Sequence, residues 1–335
     1  MTMATTSHPV RATAIPARAT AIGVVAILLW SGLALLTTAT SGIPAFELLA
    51  LSFAIAAGAG LALLALRGPA ALARLRQPPR AWALGFGGLF LYHALYFLAL
   101  KSAPTAEASL INYLWPLLIV LFAAALPGEK LRPRHLAGAA LGLAGTILLL
   151  RAPHAAPGAA LPGYLAAAGA AIVWAGYSVL NRALSEVPSE LIAGVCALVA
   201  LAALLCHLAL ERNVAPSAAQ WAAILALGLG PVGVAFYAWD HATKHGNLPA
   251  LGALAYATPL LSTLLLIAGG QAPASPFLLG AAALVIAGAL AATGRLRRSG
   301  AVSPARAISP PACAPRPPPR AAADAAPASR PPRRR

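Results

Sequence analysis

From residue 21 onward the chain alternates long apolar runs with short polar breaks. Ten runs stand out, at about 21–38, 45–66, 81–100, 104–126, 134–150, 162–183, 190–210, 219–242, 247–268 and 276–294. Each is long enough, at about 1.5 Å of rise per residue, to cross a hydrocarbon layer of about 30 Å as a helix. The pattern predicts an all-α membrane protein of ten transmembrane helices. The first run has Arg11 and Arg18 before it, as a cleaved leader would, but its place in an internal repeat argues that it is retained.

That repeat appears when the first half is shifted by 143 or 144 residues. Leu28–Gly32 ("LLWSG") then meets Ile172–Gly176 ("IVWAG"), which pairs Trp30 with Trp174. Glu47 meets Glu190, Gly85 and Gly87 meet Gly228 and Gly230, Lys101 meets Lys244, Tyr113 meets Tyr256 and Pro116 meets Pro259. Each half holds five runs, an odd number, so the halves are expected to lie in the membrane with opposite orientation. Inverted five-helix repeats around a central cavity are a transporter architecture, with the substrate near the midplane between them. The expected organisation is a cytoplasmic segment over 1–20, repeats over 21–150 and 162–294, and a basic Pro/Ala/Arg tail over 300–335. That tail is too polar to bury a core, and disorder is expected.

Composition agrees with the pattern: 60% of residues are hydrophobic, 10% are charged and the mean hydropathy is +0.78. The net charge of +16 does not mark a nucleic-acid surface, because the basic residues sit in loops and tail. With the N-terminus inside, 21 Lys and Arg fall on the cytoplasmic side and three (Lys101, Arg151 and Arg212) outside. Both termini are therefore expected in the cytoplasm. Cys196 and Cys206 share one run and Cys313 lies in the tail, so neither a disulfide framework nor a metal site is expected.

Candidate chemistry gathers where polar groups interrupt the apolar runs. In "LINYLWP" (Leu110–Pro116), Ser109, Asn112, Tyr113 and Pro116 share a helix face with Trp115 at its edge. Pro116 brings no N–H, which leaves the Asn112 carbonyl without its helical donor, free to accept from water, a side chain or a substrate amine. The competing reading is a packing kink with Asn112 as interhelical glue. Pro259 repeats the arrangement in the second half, and both prolines are candidate hinges. Tyr92, His93 and Tyr96 form an amphipathic wall able to stack on a ring and bond a polar edge. Trp174, Tyr177 and Tyr256 are the second-half counterparts, with Ser178 beside them. Trp30 and Ser31 suit either a cavity or the core. Tyr237 and Trp239 also come from the corresponding elements of the second half, and near a span end they suit an interfacial belt equally. Glu47, Glu107, Glu190 and Asp240 all lie within about two turns of span ends, so no deep carboxylate for ion coupling is apparent. Glu107 opens its span as an N-terminal anion. H-E-x-x-H, P-loop and G-x-S-x-G motifs are absent, which removes the sequence support for an enzyme or an ATP-driven pump.

The segments Ala94–Ala123 and Gly128–Leu149 ("GEKLRPRHLAGAALGLAGTILL") carry a resemblance. They are similar to EamA-type members of the drug/metabolite transporter superfamily, over about residues 20–295. "LINYLWP" looks like the aromatic amino acid exporters of the YddG type within it. The second half has Ala255–Pro259 ("AYATP") instead, so the two halves are not equivalent as sites. The resemblance implies a ten-helix basket with a central cavity, in the inner membrane of a bacterium. It also implies export of amino acids, aromatic and other neutral ones, by alternating access, with no cofactor. The expected substrate-binding set is Tyr92, His93, Tyr96, Asn112, Tyr113, Trp115, Trp174, Tyr177 and Tyr256, and no residue is expected to be catalytic. Partners are amino acids and the bilayer, without nucleic acid, and a homodimer is compatible with the sequence. The alternatives are a carrier of the same fold for other metabolites or drugs, and a membrane scaffold or enzyme. Facilitated diffusion fits the lack of deep carboxylates, and proton antiport through His93 is the competing energy source.

Overall fold

The computed structural model describes residues 17–103, 105–126, 131–149, 160–270 and 278–293. The expected basic tail, most of the expected N-terminal segment, Cys313 and Arg151 lie outside the described residues, as does the side chain of Glu107.

Every described element is helical. Among the described residues, seven helices are long and apolar enough to cross a membrane: α1 (Ala17–Ala39), α2 (Ala45–Leu66), α3 (Pro79–Ser102), α4 (Leu161–Leu184), α5 (Leu191–Leu210), α6 (Ala218–His245) and α7 (Leu248–Ala268). The runs expected over 104–126, 134–150 and 276–294 hold shorter helices, at Thr105–Asn112, Trp115–Ala123, Pro133–Leu149 and Leu278–Thr293. Large apolar side chains point outward along the helices, among them Leu165 at 64% exposure, Leu205 at 60% and Leu208 at 69%. A soluble surface does not tolerate such a belt, whereas acyl chains cover it without cost.

Proline and glycine decide where the helices bend. Pro116 supplies no N–H, and the chain breaks at Tyr113–Leu114, so the expected single span becomes two helices. Tyr256 marks the corresponding break before Pro259 in α7. Both α3 and α6 widen into a π-helical turn, at Gly87–Leu91 and Gly228–Val234. Pro231 lies inside the second, where its missing donor favours an inserted residue. Gly88 in the first turn has Tyr177 against it, so close that a Cβ would lie 2.5 Å from the ring.

α2 and α5 pack along their length, and α1 packs on α6, so the first half of the chain interlocks with the second. The N-terminus of α2 is stapled to the end of α5 by charge. The backbone N–H groups of Phe46 and Glu47 donate to the Glu211 carboxylate at 3.0–3.1 Å. His207 Nδ1 lies 3.1 Å from the same carboxylate, and Lys101 Nζ 3.7 Å from it. Glu47 in turn accepts from the Val214 N–H at 3.1 Å. This is an anion at a helix N-terminus, where the orphan donors and the dipole favour it. Burial alone would raise the Glu211 carboxyl; the Phe46 and Glu47 N–H groups, His207 and Lys101 together hold it below the ordinary carboxylate range. A depressed carboxylate contributes stability that is present above its unfolded value and lost as pH falls through the folded one. Glu211→Gln is therefore expected to lower the melting temperature in detergent at pH 7 by about 2–4 °C per kcal/mol lost. The gap to wild type should narrow as pH falls below the unfolded value of about 4.3 and close once pH has passed through the depressed folded one.

Candidate functional site

Four of the six tryptophans converge at the centre of the bundle. Trp30 from α1 lies 5.1 Å from Trp239 and 5.5 Å from Trp174, centroid to centroid. Trp115, at the start of its helix, is 5.9 Å from Trp239 and 6.3 Å from Trp174. Most of these pairs are edge-on or tilted, the arrangement that aromatic quadrupoles favour. Two indole N–H groups are tied down: Trp30 Nε1 donates to the Pro231 carbonyl and Trp239 Nε1 to Ser178 Oγ, each at 3.0 Å. The first bond lands on a carbonyl inside the π turn of α6, so the irregular backbone fixes the orientation of an indole in α1.

Around this centre the α3 wall forms as its spacing predicts. Tyr92 stacks on Tyr96 at 6.0 Å with their planes 10° apart, and lies 5.1 Å from Trp174. His93 meets Phe53 at 5.3 Å. Its Nδ1 lies 2.6 Å from the Leu89 carbonyl. A carbonyl only accepts, so Nδ1 carries a proton and donates to it. Tyr96 shares a hydrogen bond with Ser109 at 3.1 Å. Tyr177 lies 5.4 Å from Trp174. Tyr113 sits half-buried at the helix break.

Asn112 ends its helix at this break. Its Nδ2 donates to the Tyr92 hydroxyl at 3.2 Å, while its Oδ1 is buried without a partner. An unpaired acceptor in such surroundings costs about 1–3 kcal/mol, and a cationic donor is the group that relieves it best. With the rings around it, the arrangement offers apolar faces and one oriented acceptor.

The comparisons with known proteins fit this geometry. The profile of the EamA-like transporter family matches twice, over residues 18–151 and 161–294. The chain belongs to the EamA-like transporter family. An aromatic amino acid exporter YddG of Ancylobacter novellus is 53% identical over 273 residues, covering 81% of this chain and 95% of the relative. The YddG of Escherichia coli, also an aromatic amino acid exporter, is 28% identical over 286 residues, covering 81% and 94%. A solved crystal structure with 51% identity gives a TM-score of 0.80, covering 85% of this chain and 99% of its own. This EamA-like chain is thus a multi-pass membrane transporter and not an enzyme.

Of the residues expected at the site, the structure brings together Tyr92, His93, Tyr96, Asn112, Trp115, Trp174 and Tyr177. Tyr256 packs elsewhere, fully buried among Val120 and Ala139, with Gly142 so close that a Cβ there would lie 2.5 Å from its ring. Trp239, which the sequence leaves between a second-half counterpart of the wall and an interfacial residue, is 0% exposed and central. Phe236 and Phe53 join it. The signal that finds two of these is the repeat itself: a shift of 143 carries Tyr96 onto Trp239 and His93 onto Phe236.

One further departure concerns charge. Lys244, expected in a cytoplasmic segment, is 4% exposed inside α6 and lies 2.8 Å from Asp240, itself 3% exposed. The expectation that the basic residues sit in loops and tail does not hold for Lys244. The four-residue spacing puts the two on one helix face, where they neutralise each other.

Proposed function

We propose that this transporter exports amino acids, aromatic ones included and other neutral ones with them, from the bacterial cytoplasm by alternating access. The observation that carries the reading is the aromatic centre built from both family repeats, with the unpaired Asn112 Oδ1 beside it. The ring of a substrate stacks among Tyr92, Tyr96, Trp115 and Trp174, with Tyr177, Tyr113 and His93 behind them, and its ammonium reaches Asn112. Two relatives named as aromatic amino acid exporters support the substrate class. Binding between two halves that rock about it is the mechanism such repeats permit. An inverted arrangement is supported by the π turns at matching places in α3 and α6, and by the odd number of spans expected in each half. With the buried Lys244 left out, the sequence puts 20 basic residues on one side against three on the other, which supports an inner-membrane location with both termini cytoplasmic.

Counterflow in liposomes tests the substrate class. Vesicles loaded with unlabelled phenylalanine are expected to accumulate labelled phenylalanine, and smaller neutral amino acids more weakly. Accumulation of sugars or drugs instead, with amino acids inert, would assign the fold to another metabolite. Repeating the assay across an imposed pH gradient separates facilitated diffusion from proton antiport through His93.

The prolines supply a separate test. If the breaks before Pro116 and Pro259 act as hinges, Pro116→Ala and Pro259→Ala restore a helical donor and stiffen both segments. Each variant is expected to insert normally and transport several-fold more slowly. Wild-type rates in both would remove the hinge role.

A further inference from the structure

The ion pair of α6 sits directly below the aromatic centre. Asp240 follows Trp239 in sequence, and Lys244 lies one turn further on. Asp240 Oδ1 accepts from Asn181 Nδ2 at 3.0 Å, and Lys244 Nζ donates to the Val187 carbonyl at 2.9 Å. Tyr177, which touches Trp174, lines the same small cavity as Asn181, Asp240 and Lys244. That cavity holds about 10 Å³, no more than one water. A chain of contacts thus runs from the rings to this end of the bundle.

A buried ion pair is a weak device for stability. Apolar residues of similar volume commonly stabilise as well or better, while leaving one charge unpaired is costly. Its two charges can separate cheaply only if each meets an opposite charge at once. The head group of an α-amino acid brings that set on one carbon: an ammonium for Asp240 and a carboxylate for Lys244. Exchanging one internal pair for two pairs with substrate leaves no charge stranded, whereas a ligand with a single charge strands one.

We propose that Asp240 and Lys244 form a transit site for the zwitterionic head group of the exported amino acid, closed on itself in this conformer and opened by the substrate on its way to the aromatic centre. The proposal rests on the amino-acid export reading and adds to it a second recognition point, one that rejects singly charged compounds. The repeat supports it: Lys101, which the shift of 143 pairs with Lys244, stands 3.7 Å from Glu211 at the end of α5. Each repeat therefore places its matched lysine beside a carboxylate.

The test compares three probes that share a phenyl ring, so that contacts to the rings cancel: phenylalanine, phenethylamine without the carboxylate, and 3-phenylpropionate without the ammonium. Each competes for uptake of labelled phenylalanine in liposomes. Wild type is expected to prefer phenylalanine over both analogues by about tenfold or more, the value of a charged hydrogen bond. Lys244→Met should lose the advantage over phenethylamine, and Asp240→Asn should shrink the advantage over 3-phenylpropionate to the share that Asn112 supplies. Either single change leaves a buried charge without its partner, which hinders folding, so the double variant Asp240→Leu/Lys244→Met decides. It is expected to keep its melting temperature, to lose the preference over phenethylamine, and to keep over 3-phenylpropionate only the share that Asn112 supplies. If the double variant folds and discriminates as wild type does, the pair is structural and the proposal falls. If wild type itself moves no amino acid, the export reading falls first, which the variants are not needed to see.

Discussion

Trp239→Ala is expected to unfold the centre of the protein and stop transport together. The indole is 0% exposed and touches Trp30, Trp115 and Trp174 at once. Truncating a buried aromatic of this kind costs about 3–5 kcal/mol, because the lost contacts and the cavity add. The change also strips Ser178 Oγ of its indole donor inside the bundle. Trp239→Phe keeps most of the apolar area and should recover most of the stability, but not the Ser178 bond that fixes the ring. The measurement is a melting curve in detergent beside phenylalanine counterflow. A Trp239→Ala protein that melts like wild type would mean that the four indoles are not a packed unit, and the centre described above would have to be redrawn.

Asn112→Leu is expected to give the opposite pairing, with stability kept and transport lost. Leucine matches the shape of the amide and removes a buried acceptor that has no partner, a change that is close to neutral or favourable in an apolar interior. Tyr92 loses one hydrogen bond, worth about 1 kcal/mol, which sets the scale of any destabilisation. If Oδ1 receives the substrate ammonium, counterflow of phenylalanine should fall by tenfold or more, since bonds to charged groups are worth about 1.5–3 kcal/mol. Asn112→Asp should retain part of the activity, because a carboxylate also accepts from an ammonium. Transport at wild-type rate in Asn112→Leu would leave Asn112 as interhelical glue and move the ammonium contact elsewhere.

The sequence by itself determined seven helices long and apolar enough to cross a membrane. Apolar runs of the right length leave a chain in lipid no alternative to satisfying its backbone within a helix. It also determined the α3 wall, because Tyr92, His93 and Tyr96 are neighbours in one or two turns and local spacing places them. The break at Tyr113–Leu114 was written in Pro116. Tertiary structure alone decided which rings meet. Trp239 reads equally as a counterpart of the wall or, from its distance to a span end, as an interfacial residue, and the packing of α6 on α1 carries it to Trp30. Tyr256 reads as a cavity residue by its match to Tyr113, yet Gly142 on a neighbouring helix makes the room that receives it. Lys244 reads as a loop cation, yet Asp240, Asn181 and the Val187 carbonyl surround it and make its burial tolerable. The physical reason is the same in all three. Periodicity fixes the face on which a side chain stands, but what that face meets depends on helices tens to hundreds of residues away. Those contacts form only when the two halves close on each other.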